Sequence, residues 1–248
     1  MNLAFANPGR FLAFIRYAIP WLAACGTIIA AIGFYAAFAY APADYQQGET
    51  VRIMYIHVPS AWLSTACYGI MALSSIGTLV WRHPLADVSA KSIAPIGAAF
   101  TFLCLLTGSL WGKPMWGTWW VWDARLTSEL LLFFLYMGYM ALTSAIEDPK
   151  KGDRAGALIA VVGSVNVPII YFSVKWWNTL HQGSTITIGQ APSMAKLMLW
   201  AMLLMALSFW AYTLAVVFYR VRVMILLRER QSQWLRTWVS AHSVGGPA

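Results

Sequence analysis

Six stretches of about twenty or more mostly apolar residues constrain this 248-residue chain more than any other feature. They run over 17–41, 58–81, 92–112, 128–146, 157–176 and 196–219. Each is long enough to cross the hydrocarbon core of a bilayer. In that medium the backbone satisfies its hydrogen bonds only within a helix or around a closed barrel. The windows lack the alternation of barrel strands, so helices are expected. With 60% hydrophobic and 10% charged residues, the composition excludes an ordinary soluble domain. The expected fold class is therefore an all-α integral membrane protein with six transmembrane helices, forming a single domain over 1–248. Ala39-Tyr40-Ala41 has the look of a signal-peptide cleavage site. The apolar run before it is too long for a signal core and Pro42 follows directly, so the first window is expected to stay as a helix.

The charges assign sides. Seventeen residues are Lys or Arg, and an even number of spans puts both termini on one face. Twelve of the seventeen fall in the N-terminal segment, the loops near 82–91 and 147–156, and the tail. The other five, Arg52, Lys113, Arg125, Lys175 and Lys196, belong to the opposite side. The positive-inside bias then predicts cytoplasmic termini and outward loops at 42–57, 113–127 and 177–195. The net charge of +8 needs no nucleic acid to explain it. The tail "RVRVMILLRERQSQWLRTW" reads as a basic amphipathic extension of the last helix along anionic membrane lipid, or as a docking site for a cytoplasmic partner.

Several chemistries drop out. Cys25, Cys67 and Cys104 fall singly in separate windows, which suits packing and offers neither a thiol-redox pair nor a structural zinc site. There is no phosphate-binding Gly-rich loop, so any ATP use belongs to a partner. No solenoid repeat and no inverted repeat is evident.

The outward side carries the unusual residues. In "WGTWWVWDARLT" Trp116, Trp119, Trp120 and Trp122 surround Asp123 and Arg125, with Gly117 after the first ring and Trp111 just upstream. Isolated tryptophans such as Trp21, Trp81 and Trp200 are ordinary interfacial anchors. The density at 111–122 exceeds that need and suits a flat, apolar, π-rich ligand. His57 in "YIHVPSAW" and His181 in "WWNTLHQGST" lie at the same boundary, whereas His83 and His242 read as solvated bystanders. Two imidazoles from separate segments fit opposite faces of a flat iron macrocycle, and fit equally two unrelated interfacial residues. Arg125, with Lys113, Arg52 and Lys175 on the same side, suits carboxylates on such a ligand. Asp123 would orient Arg125, accept an N–H from a ring or imidazole, or form a structural Asp–Arg pair.

The stretch "WGTWWVWDARLTSELLLF" resembles the tryptophan-rich "WWD" motif of the haem-handling proteins of cytochrome c maturation, and within them the CcmC family. The larger relatives that ligate haem continue the Trp-Asp pair with Pro, where this chain has "DARLTSE". "IHVPSAW" and "LHQGS" flank the motif as the family's two outward histidine segments do. The resemblance implies that His57 and His181 are axial ligands of haem b, bound as a transferred ligand and not used in catalysis. It implies a platform of Trp116, Gly117, Trp119, Trp120, Trp122 and Asp123. It further implies delivery of haem to the chaperone CcmE, in a complex with the ATPase CcmA, CcmB and CcmD, at the periplasmic face of the bacterial inner membrane. A bis-histidine b-type cytochrome would more often place its histidines at mid-span. A haem-conducting transporter would need a polar pathway, which Asn166 beside Pro168 does not outline.

Overall fold

The computed structural model describes residues 7–83, 85–183, 186, 189 and 191–242, with the side chains of 241 and 242 left out. Ser184, Thr185, Thr187, Ile188 and Gln190, in the segment expected as the third outward loop, lie outside the described residues. Helix α1 spans Pro8–Tyr35 and runs on as a π-turn over Ala36–Tyr40. Asn7 starts it by accepting the Gly9 and Arg10 amides, with Pro8 in the first turn where no donor is needed. A 3-10 turn, Glu49–Ile53, leads into α2, Met54–Trp81. Then follow α3 (Ala86–Trp116), α4 (Ala124–Ala145), α5 (Pro149–Gly163), α6 (Asn166–Trp176), α7 (Lys196–Arg228) and α8 (Gln233–His242). Taken with their continuations, six of these segments are long and apolar enough to cross a membrane.

The helices outrun the apolar windows at several ends, because capping and turn chemistry, more than hydropathy, set helix termini. Two differences bear on the site. Helix α2 starts at Met54 and not at 58, so His57 sits inside its first turn and not in the loop. Helix α3 continues through Trp116 and stops at Gly117, whose φ of +77° is the left-handed end that glycine accepts without strain. The tryptophan loop between α3 and α4 is therefore 117–123, shorter than the expected 113–127.

The fifth span is broken. Pro168 has no N–H and crowds the carbonyl four residues back, which is that of Ser164. Val167 N–H takes that carbonyl at 3.1 Å, and the chain turns between α5 and α6. The tail also differs from one continuous extension. Helix α7 stops at Arg228, a turn intervenes, and α8 folds back so that buried Leu235 joins Leu12, Ile15, Leu85, Val221 and Ile225.

Helices α2, α3 and α4 form the centre, with α7 between α3 and α1, and α5 and α6 against α2 and α4. The central core gathers Leu63, Tyr68, Met71, Ile93, Leu132 and Tyr136. Gly97 makes the α3–α4 contact: a Cβ there would occupy the place of the Tyr136 hydroxyl, which donates to the Ser64 carbonyl at 2.7 Å. Tyr17, Trp21, Ile28, Ile32 and Tyr35 leave one side of α1 exposed, as a lipid-facing helix requires. At the basic end Lys91 pairs with Asp153, and Arg228 reaches Asp87 at 3.3 Å, so α3 is tied to α5 and α7.

Candidate functional site

The end of the bundle opposite those ion pairs brings the two sequence-selected histidines together. Their ring centroids are 6.4 Å apart, with the planes inclined at 34°. His57 is 9% exposed, and its Nδ1 donates to the Cys104 carbonyl at 3.1 Å with Thr107 Oγ1 at the same distance. His181 Nδ1 donates to its neighbour's carbonyl, Gln182 O, at 2.8 Å. A carbonyl only accepts, so both Nδ1 atoms carry the proton and both Nε2 atoms keep their lone pair. Fixing the tautomer in this way is the usual preparation of a ligating histidine. Metal–imidazole bonds are about 2.0–2.1 Å, so two imidazoles sharing one metal through Nε2 have centroids roughly 6 Å apart. The pair therefore fits a single iron. Among the described residues there is no group of three or more His, Cys, Asp or Glu that could hold a metal ion.

Helix α3 builds the seat under His57. Cys104, Thr107, Gly108 and Trp111 recur at the spacing of one helix face. Thr107 and Cys104 meet Nδ1, and Trp111 stands edge-on to the ring at 5.7 Å. At Gly108 a Cβ would come 3.0 Å from His57 Cε1, so glycine makes room for the imidazole. Trp111 Nε1 donates to Gln47 Oε1 at 2.9 Å, and Gln47 Nε2 donates to Gln182 Oε1 at 3.4 Å. Gln47 is itself placed by Asp44, whose Oδ1 accepts the Gln46 and Gln47 amides. The first and third loops meet over the histidines by this route. The structure thus gives Cys104 a backbone role beyond the packing expected of it.

Among the sequence-selected residues, Trp116 lies beside His181 at 6.4 Å between centroids. Gly117 ends α3, and Lys113 Nζ donates to its carbonyl at 3.0 Å while lying over the Trp119 ring. Trp119 is 54% and Trp122 76% exposed, so these rings offer surface beyond the histidine pair. Trp120 meets Trp122 edge-on at 5.5 Å and keeps a buried Nε1–H that has no partner among the described residues. Asp123 caps α4, its Oδ1 accepting the Leu126 amide at 2.8 Å. Its Oδ2 accepts the Thr179 hydroxyl, and Thr179 Oγ1 in turn accepts the His181 backbone N–H at 3.0 Å. Arg125 donates to the Ile170 carbonyl at 2.6 Å. Asp123 therefore neither pairs with Arg125 nor meets an imidazole directly; it reaches His181 through Thr179. Burial first, and the Arg125 charge second, hold the His181 imidazole below its ordinary value of 6.5, against the opposing pull of the Gln182 carbonyl and Asp123. A neutral imidazole results, as ligation requires.

The sequence reading passed over Thr107, Thr179, Gln47 and Gln182. The α3 stripe was visible as a spacing; the others are single polar residues in loops, with no periodic signal.

Comparison with known proteins adds the decisive observation: the family model described as heme exporter protein C matches residues 1–236. The chain belongs to the haem exporter protein C family. It is 60% identical over 204 residues to the "Heme exporter protein C" of Bradyrhizobium diazoefficiens, covering 82% of this chain and 77% of that one. The protein of that name from Escherichia coli K12 is 46% identical over 231 residues, covering 93% of each chain. That from Paracoccus denitrificans is 37% identical over 226 residues, covering 91% and 93%. The haem exporter protein C match takes in all six apolar helices and both histidines.

Proposed function

We propose that this chain binds haem b on His57 and His181 and hands it to the haem chaperone CcmE during c-type cytochrome maturation. In this reading it works in the bacterial inner membrane with CcmA, CcmB and CcmD, the site facing the periplasm and both termini the cytoplasm. The observation that carries it is the histidine pair, 6.4 Å apart, with both Nδ1 atoms engaged by carbonyls. Family membership and the name its relatives carry supply the haem. The distribution of basic residues supplies the orientation.

Each residue then has a task. His57, buried and seated on α3, is the fixed ligand. His181, on a segment held by Thr179 and Gln182, is the ligand able to leave with small loop motion. Trp116 lies beside the inner edge of the cargo. Trp119, Trp120, Trp122 and Asp123, with Gly117 as the turn, form the platform that presents its outer edge to the chaperone. Trp120 Nε1–H, without a partner among the described residues, and the Arg125 guanidinium are donors suited to propionates. Haem supplies the iron chemistry, and the protein supplies position and a water-poor setting. His57 in the first turn of α2 and His181 beyond the end of α6 favour transfer over the electron-transfer cytochrome, which more often places its histidines at mid-span.

The test is the absorption spectrum of the purified protein, oxidised and reduced, beside His57→Ala/His181→Ala. A bis-imidazole haem spectrum in the wild type that is lost in the double variant is expected. A wild type free of haem from haem-sufficient cells would overturn the reading.

A further inference from the structure

Transfer of haem leaves one expensive side chain without a task. Glu129 lies on α4 within the membrane-capable stretch and is 6% exposed. Taking a carboxylate to that depth is costly, and such groups mark function more often than packing. An isosteric apolar residue would fill the space with no such cost.

Its surroundings hold a donor, a thiol and one charge. From α2, Ser64 Oγ donates to Oε1 at 2.7 Å. From α3, the Cys104 thiol comes within electrostatic reach of the carboxylate. One turn outward on α4, Arg125 acts through its charge. Two turns inward, Tyr136 spends its hydroxyl on the Ser64 carbonyl and meets Tyr68 edge-on at 5.0 Å, with Cys67 beside them. From α6, neutral Asn166 donates to the Ser128 carbonyl at 2.8 Å. The titratable or charged groups facing this pocket are thus Cys104 on α3, Cys67 and Tyr68 on α2, and Arg125 and Tyr136 on α4.

Cys104 joins the carboxylate to the histidine pair. Its thiol lies close enough to act on Glu129 electrostatically, and its carbonyl accepts from His57 Nδ1. Charge added at the end of that connection acts on Glu129 through a medium of low dielectric, where little else screens it. Of the groups around it, the buried carboxylate is the one whose charge is costly to hold, and so the one that takes up a proton when negative charge is added nearby.

We propose that Glu129 is the proton-accepting partner of the haem iron: when an external one-electron donor reduces Fe(III) to Fe(II) on His57 and His181, one proton from bulk water binds the Glu129 carboxylate, and reoxidation by a one-electron acceptor releases it. The inference rests on the histidine pair holding haem. Its consequence is that the oxidation state in which haem waits for transfer depends on pH.

The experiment is a spectroelectrochemical titration of the haem-loaded protein across neutral pH, with dithionite as one-electron source, for wild type, Glu129→Gln and Glu129→Asp. Reduced-minus-oxidised infrared spectra are recorded alongside. The wild-type midpoint potential is expected to fall with rising pH toward about 59 mV per unit, the slope of one proton per electron. Glu129→Gln is expected to flatten that slope and remove a protonated-carboxyl band that the wild type gains on reduction. Glu129→Asp is expected to keep the slope and shift the band. A flat wild-type potential, or an unchanged slope in Glu129→Gln, overturns the proposal. If the glutamine variant does not accumulate, an unshifted band in Glu129→Asp overturns it equally. Wild-type protein without haem instead sinks the histidine assignment, a failure seen in the first spectrum before any titration.

Discussion

Thr179 gives its hydroxyl proton to Asp123 Oδ2 and takes the backbone N–H of His181 on the same oxygen. One threonine thereby ties the first turn of α4 to the segment that carries His181. It also explains why an acid belongs at position 123 of a site suited to anions. The carboxylate faces the chain, capping α4 and bracing Thr179, while Arg125 acts on His181 through its charge.

Thr179→Val keeps the shape and removes the link. Asp123 still caps α4 through the Leu126 amide, so protein abundance is expected to hold. The lost hydrogen bond is to a charged group, commonly about 1.5–3 kcal/mol, and haem retention should weaken by roughly tenfold or more. Thr179→Ser should restore it. Haem titration of the three purified proteins checks this, and equal retention in all would remove Thr179 from the site.

Gly108 offers a test that separates the ligand from the fold. Alanine is about 1 kcal/mol better than glycine inside a helix, so Gly108→Ala favours α3 itself. Its Cβ would stand 3.0 Å from His57 Cε1, and the imidazole has to move. The variant is therefore expected to be as abundant as wild type but to lose the bis-imidazole spectrum. An unaltered spectrum would mean that His57 has slack and is not a rigidly seated ligand.

How much of this was legible beforehand depends on the range of the interaction. Six spans and an all-helical fold follow from apolar length, which is local. The two histidines and the Trp-Asp motif stood out because five tryptophans within 111–122, beside an acid and with a histidine segment on each side, exceed what a membrane boundary needs. What holds them was hidden. Cys104 looked like packing because its contribution is a backbone carbonyl, which every residue has. Thr179 and Gln47 are ordinary loop polars until chain segments far apart in sequence meet. Glu129 was visible as a charge near the end of an apolar run, but its burial beside Ser64 and Cys104 exists only once α2, α3 and α4 pack. The Asp123–Arg125 pairing suggested by their spacing does not form, because Asp123 is spent on the α4 cap and on Thr179, and Arg125 on Ile170.

Orientation is checked independently of haem. A reporter that reads compartment, fused after α8, is expected to report the cytoplasm, and one inserted in the 42–48 loop the periplasm. The opposite pair of readings would reverse every statement about sides while leaving the histidine pair intact.

Acid should loosen the site later than an ordinary histidine would allow. Protonation competes with iron for Nε2, and His181 is held below its usual 6.5 by burial and then by Arg125. Haem retention is expected to stay level as pH falls through 6.5 and to drop only in more acid buffer. The same shift has a stability sign. Between the ordinary and the lowered value the unfolded chain binds a proton that the folded chain refuses, so acidification through that window costs stability. Arg125→Gln removes a positive charge beside the ring, which raises the His181 value and moves the loss of haem to higher pH. The variant also gives up its bond to the Ile170 carbonyl, so retention at alkaline pH serves as the baseline for each protein. Retention measured against pH for wild type and Arg125→Gln decides the matter: a midpoint that moves to lower pH in the variant, or none below alkaline conditions in either, would show that His181 protonation does not govern release.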